Sequence, residues 1–594
     1  MITLPQRSEV EKKYQWNLAD IFETTEKFND EFEYLQKNIN TLEKYKGKLG
    51  DSKVLLEAFN LESELSERLE RVYVYAYLMR DQDTTDSVNN ARATKTDILL
   101  TKFSTITSYI LPELTSESDE YLEGLTSDEN FAKYKVTLKE ILRTKKHILS
   151  EKEERILSKA GAFTGDFEET FIMFDNADIK FKSYLDQDKN RVKLSHGLYS
   201  LALQSSSQND RKKAFNSMFN AYKDMINTIA TNYAGNVKKD WFYADVRGFK
   251  SSMEKATFYE NVSPKVYKAL VKNVSDNFDV MHDYVAYRKK ALGLDVLNMY
   301  DMYVPIVEGA DIKLTYEESV SLVKEALKPL GKEYADILNT AFSSGWIDVV
   351  ENKGKKSGAY SWGAYGVHPY VLLNYQQTTH DVFTIAHELG HAIHSYYSSS
   401  NQPYEDAGYV IFVAEIASTV NEVLLIKHLL NTTTDKKIRK YLLSYYMDMF
   451  RTTVFRQTMF AEFELKAHEM VEKDIPLNAE NLSKEYYKLN KRYYGKAVKH
   501  NSLIKYEWAR IPHFYTAFYV YKYATGLISA VNIDSRILED EKNVEGYKNF
   551  LKAGCSMPPL DILKLAGVDL ETSEPYEVAF KEFRDTLKEL KEID

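Results

Sequence analysis

Residues 378–394 read Thr-Thr-His-Asp-Val-Phe-Thr-Ile-Ala-His-Glu-Leu-Gly-His-Ala-Ile-His. Val382, Phe383, Ile385, Ala386 and Ile393 mark the stretch as a buried helix. Residues four apart on a helix differ by about 40° in azimuth and ~6 Å in rise, so His387 and His391 project side by side. Two imidazole nitrogens placed in this way can reach one Zn²⁺ at ~2.0–2.1 Å. Glu388 lies about 100° further around, poorly placed to ligate and well placed to hydrogen-bond a water beside the metal. The alternative is a surface helix that carries these residues by chance, but the apolar flanks make unpaired His and Glu costly there. His394 is ~10.5 Å along the axis from His387, too far to share a metal with it. Pairing His391 with His394 would leave Glu388 idle, so His394 is read as packing or as support for the ligands.

A catalytic zinc takes three protein ligands and keeps one position open. Downstream, residues 409–422 place Glu415 inside an apolar helical run, where an unpaired carboxylate would be expensive. Glu422 follows two turns later on the same face. Glu415 is therefore the expected third ligand, and Glu422 the expected acceptor for a ligand histidine's second N–H. Either carboxylate could instead pair with a lysine or arginine.

Upstream, residues 346–350 and 369–375 are rich in β-branched and aromatic residues and flank a Gly/Ser/Lys-rich segment. They are read as two short strands around a mobile loop. Strand 369–375 is expected to offer a free edge to an extended peptide, with Leu373, Asn374 and the loop's Tyr360 as candidate substrate contacts. Elsewhere the three-and-four rhythm of Leu61, Leu65, Leu69, Val72, Ala76 and Met79 predicts a helix. Similar rhythms run through 28–42, 134–149, 267–292, 438–471 and 578–590. The chain has only 23 glycines and 12 prolines, about half the usual share, so a mainly α protein is expected.

The chain is 594 residues long, 44% hydrophobic, with a formal charge of −10. That composition excludes a disordered chain. The one cysteine, Cys555, excludes a disulfide-built scaffold. The basic residues form no dense block outside 353–356, which argues against nucleic acid as a partner. The apolar runs are too short for a membrane span. Without a leader-like start and with a single cysteine, the expected setting is cytoplasmic.

Together, His387-Glu-Leu-Gly-His391-Ala-Ile-His394, Phe412-Val-Ala-Glu415-Ile-Ala-Ser-Thr and Ile511-Pro-His513-Phe-Tyr515-Thr-Ala-Phe-Tyr519-Val-Tyr521-Lys-Tyr523-Ala-Thr-Gly526 resemble the thimet oligopeptidase family of zinc metallopeptidases. Within that family the chain is most similar to the oligoendopeptidase F branch. The resemblance covers residues 200–590 well and the N-terminal part more loosely. One departure is Gly408-Tyr-Val-Ile411, where relatives often carry a proline before the ligand helix. The resemblance implies a clam-like, two-lobed helical zincin with a small β-sheet lining a deep central channel; from the helical periodicity, 1–195 is read as an N-terminal helical lobe and 196–594 as the catalytic domain. It also implies one Zn²⁺ per chain, held by His387, His391 and Glu415, with Glu388 as general base. His513, Tyr515 and Tyr521 are the donors it offers to the oxyanion of the tetrahedral intermediate. The expected activity is endopeptidase cleavage of short unstructured peptides. A zinc carboxypeptidase of similar fold and a non-catalytic peptide-binding protein with a relic metal site are the alternatives. Glu388 speaks against the second, because a structural zinc needs no base.

Overall fold

Apolar spacing with few breakers winds most of the chain into helices in the computed structural model, which describes residues 4–307, 309 and 312–593. Six helices position the residues of interest: α1 (Ser52–Asp81), α2 (Ile226–Asp245), α3 (Thr379–Asn401), α4 (Ile411–Thr432), α5 (Arg456–Glu472) and α6 (Tyr521–Glu539). In α1 the spaced apolar residues Leu65, Leu69, Val72 and Ala76 are buried, and the Asp51 carboxylate caps the first turn through the N–H groups of Lys53 and Val54. Two long periodic runs are interrupted. The 267–292 stretch breaks at Asn277 into Pro264–Asp276 and Phe278–Ala291. The 438–471 stretch passes through a wide π turn at Phe450–Phe455 before α5 begins.

The chain forms two compact units, each assembled from three segments. The first comprises Met1–Ile148, Asp311–Leu429 and Ile533–Val568; the second comprises Leu149–Ala310, Leu430–Asn532 and Asp569–Asp594. The boundary expected after residue 195 falls inside the second unit. Helical periodicity is local and carries no information about which distant segments pack together.

In the first unit lies a three-stranded sheet of β1 (Ile347–Asp348), β2 (Tyr360–Trp362) and β3 (Tyr370–Leu372), in the order β1-β3-β2. β1 runs parallel to β3 with Ile347 opposite Val371, and β2 runs antiparallel to β3 with Ser361 opposite Val371. This corrects two expectations. The strand expected to present a free edge is the central one; Tyr370, Val371 and Leu372 are fully buried, as a strand with neighbours on both sides requires. The segment expected to be a mobile loop supplies the edge strand β2. That segment is also tied down along its length. The Lys355 ammonium is buried on Asp348 at 2.7 Å, and the Thr84 N–H donates to the Gly354 carbonyl at 2.7 Å. Lys356 and the Tyr360 hydroxyl both reach Asp81 at the end of α1, at 3.2 and 2.9 Å. Gly354 has φ +81°, and a Cβ there would stand 2.3 Å from the Asp83 carboxylate, so this close approach admits only glycine.

The second unit buries an aromatic core between α2 and α5. Tyr233, Phe463, Trp508 and Phe514 pack with ring centroids 5.1–6.5 Å apart.

Candidate metal centre and active site

α3 starts at a capping box in which Thr378 and Asp381 satisfy each other's backbone N–H groups. It buries Val382, Phe383, Ile385, Ala386, Leu389 and Ile393. Gly390 lies where α3 crosses α4: a Cβ there would meet the Ser418 Cα at 2.5 Å and the Ala417 carbonyl oxygen at 2.7 Å. The glycine of His-Glu-Leu-Gly-His is thus a contact point between two backbones. A second tie sits one turn away, where the Asn421 side chain donates to the Ala386 carbonyl at 2.9 Å and accepts from the Tyr334 hydroxyl at 3.0 Å. Small residues and a buried amide draw the helices together, and that distance brings Glu415 to the histidines.

The Nε2 atoms of His387 and His391 are 3.2 Å apart, and the Glu415 Oε2 lies 3.5 and 3.6 Å from them. Ligands bound to one zinc at ~2.0–2.1 Å in tetrahedral geometry sit about 3.3–3.4 Å from each other. The triangle fits that edge length on all three sides. Two imidazole nitrogens and a carboxylate oxygen converge on one spot, a donor set that fits a zinc ion. Among the described residues, this is the group of His, Cys, Asp and Glu able to hold a metal. Its side chains retain 18–28% exposure, compatible with an open coordination position.

Supporting groups orient the ligands from behind. The His387 Nδ1–H donates to Glu422 Oε1 at 2.5 Å, which aims Nε2 at the shared point. Burial disfavours charge on this ring, but the Glu422 hydrogen bond, with Glu388 and Glu415 nearby, raises it to about 9. The His391 ring is pushed down to about 3 by burial and by its neighbour His387, against a hydrogen bond to the Ala414 carbonyl. Glu388 is buried, and that burial lifts its carboxyl to about 7; His387 and the Ser361 N–H on edge strand β2 pull it back. A carboxyl held near neutrality can both accept and return a proton. His394 points away from the cluster and stacks on Tyr409 at 3.8 Å and Phe550 at 5.4 Å. It serves as packing.

The other expected site residues are engaged within their own units. Leu373 is buried and its N–H donates to the Asp348 carbonyl at 2.8 Å. The Asn374 amide donates to the carbonyls of Lys356 and Gly358 at 3.0 and 2.8 Å, and the Tyr360 hydroxyl is on Asp81. These three groups shape the strand and its loop.

His513, Tyr515 and Tyr521 belong to the second unit. Tyr515 is buried, stacked on Phe171 at 4.7 Å, and accepts from the Asn232 amide at 3.2 Å. Tyr521 is buried and reaches the Glu260 carboxylate at 3.5 Å. The tyrosines that gather with half-buried His513 are Tyr519, with rings 5.8 Å apart, and Tyr523, whose hydroxyl is 3.2 Å from His513 Nε2. Both keep part of their surface exposed. Tyr519 and Tyr523 also meet each other, with ring centroids 5.5 Å apart.

Comparison with known proteins agrees with this arrangement. The profile described as Peptidase family M3 matches residues 201–582, and the one described as Oligopeptidase F matches residues 113–181. The chain is 44% identical to Oligopeptidase PepF of Bacillus subtilis (strain 168), over 99% of this chain and 88% of that one. It superposes on the crystal structure of oligoendopeptidase-F from Enterococcus faecium with a TM-score of 0.74, at 33% identity, covering 96% of this chain and 99% of the other. A Chlamydophila abortus chain described as a peptidase gives a TM-score of 0.95 at 35% identity, with both chains fully covered.

Proposed function

Since the chain belongs to peptidase family M3, as a metalloendopeptidase of the oligoendopeptidase F type, we propose that it is a zinc enzyme that cleaves internal bonds of short, unstructured peptides. The observation that carries the zinc assignment is the triangle of His387 Nε2, His391 Nε2 and Glu415 Oε2, with edges of 3.2, 3.5 and 3.6 Å. The single cysteine supports a cytoplasmic setting.

When bound, zinc supplies a Lewis acid that polarises a carbonyl and makes water more acidic. Everything else falls to the chain's own groups. Glu388 takes the proton of the attacking water and returns it to the nitrogen of the departing amine. Its buried position, with a carboxyl near 7, suits both transfers. Glu422 holds His387 in the tautomer that keeps Nε2 free for the metal. We assign donation to the oxygen that gains charge to His513, Tyr519 and Tyr523, the accessible members of their segment, with buried Tyr515 and Tyr521 as its supports. Tyrosine hydroxyls suit this task because they donate while uncharged.

Edge strand β2 takes over the peptide-pairing role that the sequence suggested for 369–375. Main-chain pairing tolerates many side chains, so broad sequence acceptance is expected. The test is an internally quenched peptide of about eight residues, blocked at both ends. Cleavage that a chelator abolishes and zinc restores is the expected result. Cleavage confined to peptides with a free terminus would overturn the endopeptidase assignment.

A further inference from the structure

Between His513 and the start of α6 the chain makes a tight turn. Phe518 sits at φ +57°, in the left-handed region, and its ring is buried. For a bulky residue that conformation is strained and persists only where the surroundings hold it. The turn has a consequence. It separates the short helix Pro512–Tyr515 from α6 and folds Tyr519 and Tyr523 back onto His513.

The group bonded to the backbone at this turn is on α5. Glu464 is fully buried, and its Oε1 accepts the Phe518 N–H at 2.7 Å. One turn along α5, His468 packs its ring on Phe518 at 4.6 Å and is held at both nitrogens, by the Glu464 carbonyl at 2.9 Å and Asp240 at 3.3 Å. From α2, the Asn236 amide reaches the Phe514 carbonyl at 3.4 Å and the Asn232 amide reaches Tyr515. A carboxylate in such a place is expensive. An apolar residue of the same length would fill the space, and what the carboxylate adds is an acceptor for one backbone N–H.

We propose that Glu464 is a positioning residue for the reaction: by accepting the Phe518 N–H it holds the left-handed turn that sets Tyr519 and Tyr523 against His513. It touches neither substrate nor metal ligands. The inference rests on the reading of His513, Tyr519 and Tyr523 as donors. Burial lifts the Glu464 carboxyl to about 8, against the pull of nearby His468 and the Phe518 N–H, and glutamine in its place keeps an oxygen that can accept that N–H.

The test compares Glu464→Gln, which keeps an acceptor, with Glu464→Met, which keeps length and loses it. kcat, KM and zinc content are read on the full chain. The expected result is a ~10- to 100-fold loss of kcat in Glu464→Met, the size that a misplacement of about 1 Å produces. KM should stay within about twofold and zinc content unchanged, and Glu464→Gln should stay near wild type. Should the methionine variant not fold, Glu464→Asp withdraws the acceptor by one methylene and is expected to show the same kcat-only loss. His513→Ala, Tyr519→Phe and Tyr523→Phe are measured alongside. If these lose activity while Glu464→Met or Glu464→Asp keeps wild-type kcat, the positioning role is overturned and the donor reading stands. Glutamine as damaging as methionine also overturns it, since packing rather than the acceptor would then matter. If the three donor variants keep wild-type kcat, both readings fall together.

Discussion

Gly390 of α3 faces the backbone of Ser418 on α4 so closely that a Cβ would stand 2.5 Å from the serine Cα. The proposed metal triangle depends on that approach, because two of its candidate ligands lie on α3 and the third on α4. Gly390→Ala should force the helices apart, destabilising the fold by about 1–3 kcal/mol and weakening zinc binding at least ~10-fold. Melting temperature and a zinc titration read the two effects separately. An alanine variant with wild-type zinc affinity would show that Glu415 does not owe its position to this crossing.

Glu388→Gln keeps the shape of the base and removes its capacity to accept a proton. Zinc content should be unchanged while kcat falls by ~10²–10⁴-fold, the range general-base catalysis contributes. Turnover close to wild type would remove Glu388 from the mechanism.

Glu422 is 2.5 Å from the His387 Nδ1, and its loss leaves that ring free to rotate. Glu422→Ala is expected to lower zinc affinity by ~10–100-fold, with Glu422→Gln milder because the amide oxygen still accepts. Competition with a chromophoric chelator gives the affinity. Equal losses in both variants would point to the negative charge of Glu422 rather than to its hydrogen bond.

Cys555 offers a pH-dependent check away from the site. Burial, and then the nearby Asp406 carboxylate, raise its thiol to about 11. A raised thiol pKa means less thiolate at any lower pH, and the thiolate is the reactive form. Alkylation at pH 8 should be roughly 100-fold slower than for a free cysteine and should accelerate as pH rises toward 11. Mass spectrometry after timed iodoacetamide exposure follows it. Rapid modification at pH 8 would contradict the packing described around residues 405–406.

Much of the metal centre was legible because its geometry is local. Four-residue spacing puts His387 and His391 side by side on any α-helix, and the position of Glu388 follows from the same pitch. Glu415 and Glu422 were visible for a different reason: carboxylates inside an apolar run have to be doing something that offsets their burial.

What stayed hidden was non-local. Strand order in the sheet depends on which segments meet, so residues 369–375 could be recognised as a strand but not as the central one. Tyr515, Tyr519 and Tyr523 step by four along the chain, but the short helix ends at Tyr515, before the turn at Phe518, so that spacing does not say which of them lie against His513. From the chain alone Tyr515 and Tyr521 were as good as Tyr519 and Tyr523; burial against Phe171 and beside Glu260 separates them. Residue spacing and local composition were enough to mark out the helix, its two histidines, Glu388 and the two acidic residues. Their alignment into a triangle, and which tyrosines lie against His513, were decided by tertiary contacts: a glycine that lets two helices touch, and a turn at Phe518 whose N–H is bonded to buried Glu464.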